Sequence, residues 1–213
     1  MNTERRRQLS SAEERRETVL RTAIGAFAAR GYFGTTTTEV AKAAGISQSY
    51  VYRLFPNKEV LFTAVVEHCF SRVRASLEEG AAQSRGSAPE AVLYAMGDTY
   101  ARLIADKDLL LVLTHAQAAA VSEAAVREAV RTGYARMVEY VRGASGAADS
   151  EIQRFFATGM LCHLLVSLDV QDVDAPWSRG PTAGGPRNGR PPRSAGGRRA
   201  APTTHPRPLV DNN

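Results

Sequence analysis

Gln48, Ser49 and Tyr50 stand in succession at the start of a short helical stretch, 48–54, with Tyr52 and Arg53 close behind. A glutamine amide pairs well with adenine, a serine hydroxyl adapts to either partner, and a tyrosine ring packs on a thymine methyl. What these three side chains share is the ability to read base edges in the major groove of double-stranded DNA. Thr36, Thr38, Lys42, Tyr52 and Arg53 add hydroxyls and cations suited to phosphate oxygens, contacts that set position and carry no sequence information. Lys58 falls in the first turn of a longer helix, where the helix dipole disfavours a cation and attracts an anion. A DNA phosphate over that helix end accounts for a lysine there. Each residue also has a plain reading: Tyr50 or Tyr52 as packing, Lys42 as a solvated lysine. Only the set favours nucleic acid.

The elements that must hold these residues are legible around them. Thr36 followed by Glu39 predicts a capping box at the start of a helix over 37–44. Val40 faces inward, and Ala41 and Ala44 are small enough for a second helix to cross closely. Gly45 suits a left-handed turn position, Ile46 plugs the corner, and Ser47 caps the next helix. This is the spacing of a helix-turn-helix, whose second helix enters the major groove by its amino-terminal end.

The stretch 35–61, TTTTEVAKAAGISQSYVYRLFPNKEVL, resembles the amino-terminal DNA-binding region of the tetracycline-repressor (TetR) family of transcriptional regulators. Ala26-Phe27 and Gly31-Tyr32 ahead of the threonines extend the resemblance over about residues 15–65, and FFATGML at 155–161 resembles the late dimerisation helix of many members. The resemblance implies a cytoplasmic homodimer that offers two recognition helices to a palindromic operator. It also implies repression that is relieved by a small-molecule effector. Members often continue past Pro176-Trp177 into another short helix that joins the dimer interface, and here an Arg/Gly/Pro-rich segment stands instead.

Along the chain, apolar residues recur at helical spacing from Ser11 to Gly31, where glycine suits a C-cap. The same spacing predicts a helix from after Pro56-Asn57 to about Glu79, a loop over 80–87, and helices near 88–105, 107–119, 123–142 and 150–170. No stretch alternates with period two, so the expected fold is all-α. Its expected division is a three-helix helix-turn-helix domain over 1–57, a helical ligand-binding and dimerisation domain over 58–174, and a disordered tail over 175–213. Of the 24 residues 179–202, 21 are Ala, Gly, Pro or Arg, a composition that builds no core. Two origins fit that tail: a basic extension adding phosphate affinity, or a shifted reading frame in a G+C-rich gene.

In the second domain, Met96, Tyr100, His115, Gln117, Tyr134 and Met137 are polar or soft residues among apolar ones and are the expected cavity lining. The helix near 150–170 is apolar all round, so it requires either a central position or a face sealed by a partner. Phe155, Phe156, Leu161 and Leu165 are the expected dimer contacts. The physical link between domains is the helix from residue 57, which begins at the DNA and ends in the core. A ligand favouring one tilt of it would shift the recognition helices off their roughly 34–36 Å spacing.

The 213 residues carry a net charge of +5. Residues 1–70 hold +3, residues 71–174 hold −4, and residues 175–213 hold +6, so the basicity belongs to the tail and not to the candidate DNA surface. No apolar run approaches the roughly 18 residues of a membrane span, and Glu4, Glu13, Glu14 and Glu17 argue against a signal peptide. Cys69 and Cys162 read as reduced core residues. His68, His115, His163 and His205 show no metal-ligand spacing, and there is neither a glycine-rich phosphate loop nor a serine elbow. No cofactor, metal or catalytic activity is expected. The closest rival reading is a DNA-binding regulator without a ligand, controlled by a protein partner.

Overall fold

Left-handed glycines at positions 31 and 45 and a tightly packed glycine at position 80 shape the helical framework. The computed structural model describes residues 3–178, and among them every regular element is helical. α1 (Thr3–Gly34) is broken at Gly31, whose φ of 68° lies in the left-handed region. α2 (Thr37–Ala43) and α3 (Gln48–Leu54) follow, joined through Gly45 with φ 65°. α4 (Lys58–Gln83), α5 (Pro89–Leu103), α6 (Lys107–Ala119), α7 (Ala124–Ser145) and α8 (Asp149–Ser167) complete the body, ending in a 3₁₀ turn, Val170–Asp172. The expected all-α, helix-turn-helix architecture is present. α1 starts at Thr3 where periodicity alone indicates Ser11.

A buried cluster runs without interruption from α1 through α4 into α5, α6 and α7. At its centre Phe27 and Phe62, both wholly buried, approach to 4.7 Å between ring centroids, and Tyr32 joins Phe62 at 5.1 Å. Besides the continuous α4, α1 packs broadly against α6. There His115 Nε2 lies 3.2 Å from the Ala28 carbonyl, beneath the break at Gly31. A Cβ on Gly31 would sit 2.8 Å from His115 Nδ1, whereas one on Gly146, also left-handed at φ 64°, would meet nothing within 4 Å. Gly31→Ala is therefore expected to cost about 1–3 kcal/mol, backbone strain plus a clash, against about 1 kcal/mol of backbone strain for Gly146→Ala. Urea unfolding of the two variants checks this, and equal costs would refute the close contact.

Gly80 corrects the expected loop over 80–87. α4 continues through it to Gln83, because Gly80 is buried where a Cβ would stand 2.6 Å from the Ala95 carbonyl of α5. The residue permits the α4–α5 crossing and does not end the helix.

α8 does not take the central one of its two expected positions. It lies at the surface and buries only Ile152 and His163, while Met160, Leu161, Leu164 and Leu168 stand open. Of the two positions an all-apolar helix allows, the central one is excluded. Ser178 is buried, its hydroxyl donating to the Val173 and Ala175 carbonyls. Residues 179–213, which make up nearly all of the expected tail, lie outside the described residues.

Candidate nucleic-acid interface

The four consecutive threonines divide by facing. Thr35 and Thr37 are buried, with the Thr35 hydroxyl donating to the Ala26 carbonyl, whereas Thr36 and Thr38 are exposed. Thr36 is the N-cap of α2: its oxygen accepts from the Glu39 amide, and the Glu39 carboxylate accepts from the Thr36 amide and hydroxyl. These bonds, the backbone one foremost, hold the Glu39 carboxyl below the usual carboxylate range, and Arg30 pairs with it from α1. Thr36 thus has a structural task in place before any phosphate arrives. Thr38 and Lys42 are exposed on the same helix.

Ser47 caps α3 by accepting from the Tyr50 amide at 3.2 Å. α3 is anchored by Val51 and by Phe55 just beyond it, both wholly buried. Gln48, Ser49, Tyr52 and Arg53 are exposed, and Tyr50 is half-buried. The exposed edge is held from beneath by Thr37, whose hydroxyl donates to Tyr52 Oη at 3.0 Å and accepts from Gln48 Nε2 at 3.4 Å. Tyr52 keeps its own phenolic hydrogen for an outward acceptor such as a phosphate oxygen.

Lys58 is placed differently from its sequence rationale. Its ammonium donates to the Tyr32 carbonyl at 2.9 Å and lies 4.5 Å from the Tyr32 ring centroid. The carbonyl freed at the α1 break and the ring face offset the unfavourable dipole of the α4 terminus, so the lysine is explained without DNA. Asn57, not Lys58, supplies the α4 cap, accepting from the Val60 amide at 2.8 Å.

Three residues of this surface escape sequence reasoning. Thr37 is hidden inside a run of identical residues. Arg15 and Arg16 sit well upstream on α1, yet Arg15 Nη1 donates to Tyr50 Oη at 3.4 Å, and Arg16 Nη1 donates to the Leu54 carbonyl at 3.4 Å. Arg16 also lies 4.4 Å from the Phe55 ring centroid. The local signal is a pair of arginines two residues ahead of Val19 and Leu20, which are buried on α1.

The candidate ligand residues are brought together only in part. Gln117 Nε2 donates to Tyr134 Oη at 3.2 Å, Tyr134 Oη donates to Met160 Sδ at 3.2 Å, and the Tyr134 ring meets Phe70 edge-on at 5.4 Å. Burial, seconded by Tyr134 and Cys162, pushes the Tyr100 phenol well above its ordinary value. Met96 and Met137 are buried, and His115 belongs to the α1–α6 contact. A cleft of about 180 Å³ opens between α4 and α7, floored by Phe70, Gly133 and Met137 and rimmed by Ser71, Arg74 and Arg136. Met137 alone of the six candidates lines it.

On α8, Phe155 and Phe156 are half-buried and meet edge-on at 5.4 Å. Leu161 is open and Leu165 half-buried. The open stripe also takes in Met160, Leu164 and Leu168, which the expected contact set lacks. Behind it, His163 Nε2 lies 2.7 Å from Thr114 Oγ1, and the Thr114 hydroxyl donates to the Leu110 carbonyl, leaving the imidazole N–H to donate to threonine. Burial pushes the His163 pKa below its ordinary 6.5, against a smaller upward pull from Leu110. With the folded value depressed, the unfolded chain binds the proton first as pH falls. Stability is therefore expected to drop from pH 7 towards pH 5, and His163→Gln should flatten that slope in urea unfolding. Identical slopes would rule His163 out as its source.

Cys69 and Cys162 are free, and burial pushes the Cys69 thiol up to about 12. Among the described residues no helix is long and apolar enough to cross a membrane, and no group of three or more His, Cys, Asp or Glu is placed to hold a metal ion.

A short helix capped by Ser47, braced on α2 and presenting its amino-terminal side chains outward defines a helix-turn-helix protein. Residues 19–65 match the model of the bacterial regulatory proteins of the tetR family. The chain is 33% identical over 104 residues to the HTH-type transcriptional regulator YdgC of Bacillus subtilis, covering 47% of this chain and 53% of YdgC. It thus spans about half the length of that relative. Its fold is similar to a TetR-family regulator structure from Rhodococcus sp., with a TM-score of 0.60 at 20% identity, covering 80% of this chain and 94% of the other. It is similar also to the Bacillus subtilis regulator FadR in complex with stearoyl-CoA, with a TM-score of 0.59 at 20% identity, covering 74% and 90%. Residues 19–65 are thus similar to the DNA-binding region of the tetR family, and the fold of the described residues is similar to that of TetR-family regulators.

Proposed function

We propose that this chain is a repressor that binds a palindromic operator as a homodimer and is released by a small molecule. The observation that carries the reading is the outward edge of α3, where Gln48, Tyr50 and Tyr52 are held by Thr37 and Arg15 on a buried anchor and Ser49 stands exposed beside them. Gln48, Ser49 and Tyr50 read base edges, Thr38, Lys42, Tyr52 and Arg53 engage phosphates, and Thr36 and Ser47 hold the two helix starts. Lys58 donates one N–H to the Tyr32 carbonyl and keeps two that a phosphate oxygen can accept. The open stripe on α8 supports a symmetric pairing that presents two copies of α3 to successive major grooves, as a cytoplasmic DNA-binding protein requires. Residues 58–174 are the regulatory and dimerisation domain, with α4 and the α1–α6 contact transmitting its state.

The effector is the finer part of the reading. The cleft of about 180 Å³ is smaller than the roughly 300–1,000 Å³ of most ligand pockets. A ligand seated among Tyr100, Gln117 and Tyr134 works by favouring a more open arrangement of α4–α8 around them. That small cleft equally favours a second reading, in which a protein partner controls the dimer. Selection of duplexes from a random library by the purified chain, followed by a compound panel against the selected duplex, tests both. Enrichment of a palindrome with half-sites about one helical turn apart and release by a compound is the expected result. No enriched duplex overturns the DNA reading, and a palindrome released by no compound, only by a protein, favours the partner.

A further inference from the structure

Among the described residues, Tyr50 is the one candidate base-reading side chain gripped by a residue from outside the helix-turn-helix. Arg15 Nη1 reaches its hydroxyl at 3.4 Å from α1, and the Arg53 guanidinium lies 4.9 Å from its ring centroid from the following turn of α3. The next residue, Arg16, binds the Leu54 carbonyl at the opposite end of α3, where a cation complements the carboxy-terminal dipole. Adjacent arginines of α1 thus hold both ends of the recognition helix. The chemistry of the first grip is directional. A guanidinium has only donors, so the Tyr50 oxygen is the acceptor, and its phenolic hydrogen stays free to point away from Arg15.

We propose that Arg15 is a positioning residue for sequence reading, holding Tyr50 so that its hydroxyl donates to a base-edge acceptor in the major groove. The acceptors available there are purine N7, guanine O6 and thymine O4, and cytosine N4 is a donor that Tyr50 so held does not satisfy. Tyr50 then contributes more than a ring face against a thymine methyl: it selects against cytosine at the base it meets. The two guanidiniums also favour the ionised phenol and hold the Tyr50 pKa below its ordinary value, with the Arg15 hydrogen bond the leading cause.

The inference rests on the DNA reading above, and the test separates the two. The duplex selected by the full-length chain is varied at every base pair. Affinities are measured across a salt series for the wild type, Arg15→Ala, Arg15→Lys, Tyr50→Phe and the Arg15→Ala/Tyr50→Phe double variant. Discrimination at one base pair per half-site is expected to fall about 10-fold in Arg15→Ala and in Tyr50→Phe, with no further loss in the double variant. The salt slope should change by well under one counterion, and Arg15→Lys should retain part of the discrimination. The part of the ultraviolet phenol titration that Tyr50→Phe removes should move to higher pH in Arg15→Ala, a signature that a purely structural arginine leaves unmoved. A uniform loss across all sequences with a slope reduced by about one would make Arg15 a plain phosphate contact and overturn the proposal. Unchanged discrimination in Arg15→Ala would overturn it too. If the wild type selects no duplex at all, both readings fall.

Discussion

Leu164→Glu is expected to convert a dimer into a monomer in sedimentation and to weaken operator binding by at least about 100-fold, the order of what bivalent attachment contributes. Leu164 is 53% exposed in the last turn of α8, between Leu161 and the C-cap Leu168 at 42% and 62%. The spacings of three and four residues set them on one face. A carboxylate there must either be buried without a partner, which costs several kcal/mol, or keep the two copies apart. Each separated copy retains one α3, so half-site contacts survive and only the second, pre-positioned contact is lost. Val121→Glu, at an 83% exposed site in the α6–α7 turn, introduces the same charge without touching α8 and should leave both properties unchanged. A Leu164→Glu protein that still sediments as a dimer would remove α8 from the interface.

Phe62→Ala should cost about 3–5 kcal/mol of folding free energy, the range for emptying a well-packed aromatic site. Phe62 is wholly buried one turn into α4, against Phe27 at 4.7 Å and Tyr32 at 5.1 Å. Its neighbours belong to α1, so the cavity would loosen the joint between the helix-turn-helix and the body, not only one helix. The unfolding midpoint in urea measures the loss. Val60→Ala, two residues away and 39% exposed, provides the scale and should shift stability by about 0.5 kcal/mol or less. A loss for Phe62→Ala near that value would mean that the α1–α4 joint carries little of the fold.

Much of the candidate nucleic-acid surface is legible because its determinants are local. A capping box spans four residues, a left-handed glycine one, an N-cap four, and each is legible at Thr36–Glu39, Gly45 and Ser47 from sequence alone. Those signals fix short-range backbone geometry, which neighbouring residues decide among themselves. Gly80 shows where local reasoning fails. By itself a glycine after a helical run signals an end, and only the α5 backbone across the crossing reveals that it is required for contact. Lys58 fails similarly: its dipole argument was sound, but the compensating groups are the carbonyl and ring of Tyr32, 26 residues earlier.

The amino-acid sequence by itself determined an all-helical chain, the helix-turn-helix and the side chains offered on α3, because periodicity and capping act within one turn or two. It also marked the last helix as apolar on every side. Which face of that helix remains open, which threonines turn inward, and which arginines clasp Tyr50 and the end of α3 were decided only by tertiary structure. Those outcomes depend on how α1, α4, α5 and α6 cross. Contacts between residues far apart in the chain follow from the packing of whole helices, and no local pattern records them.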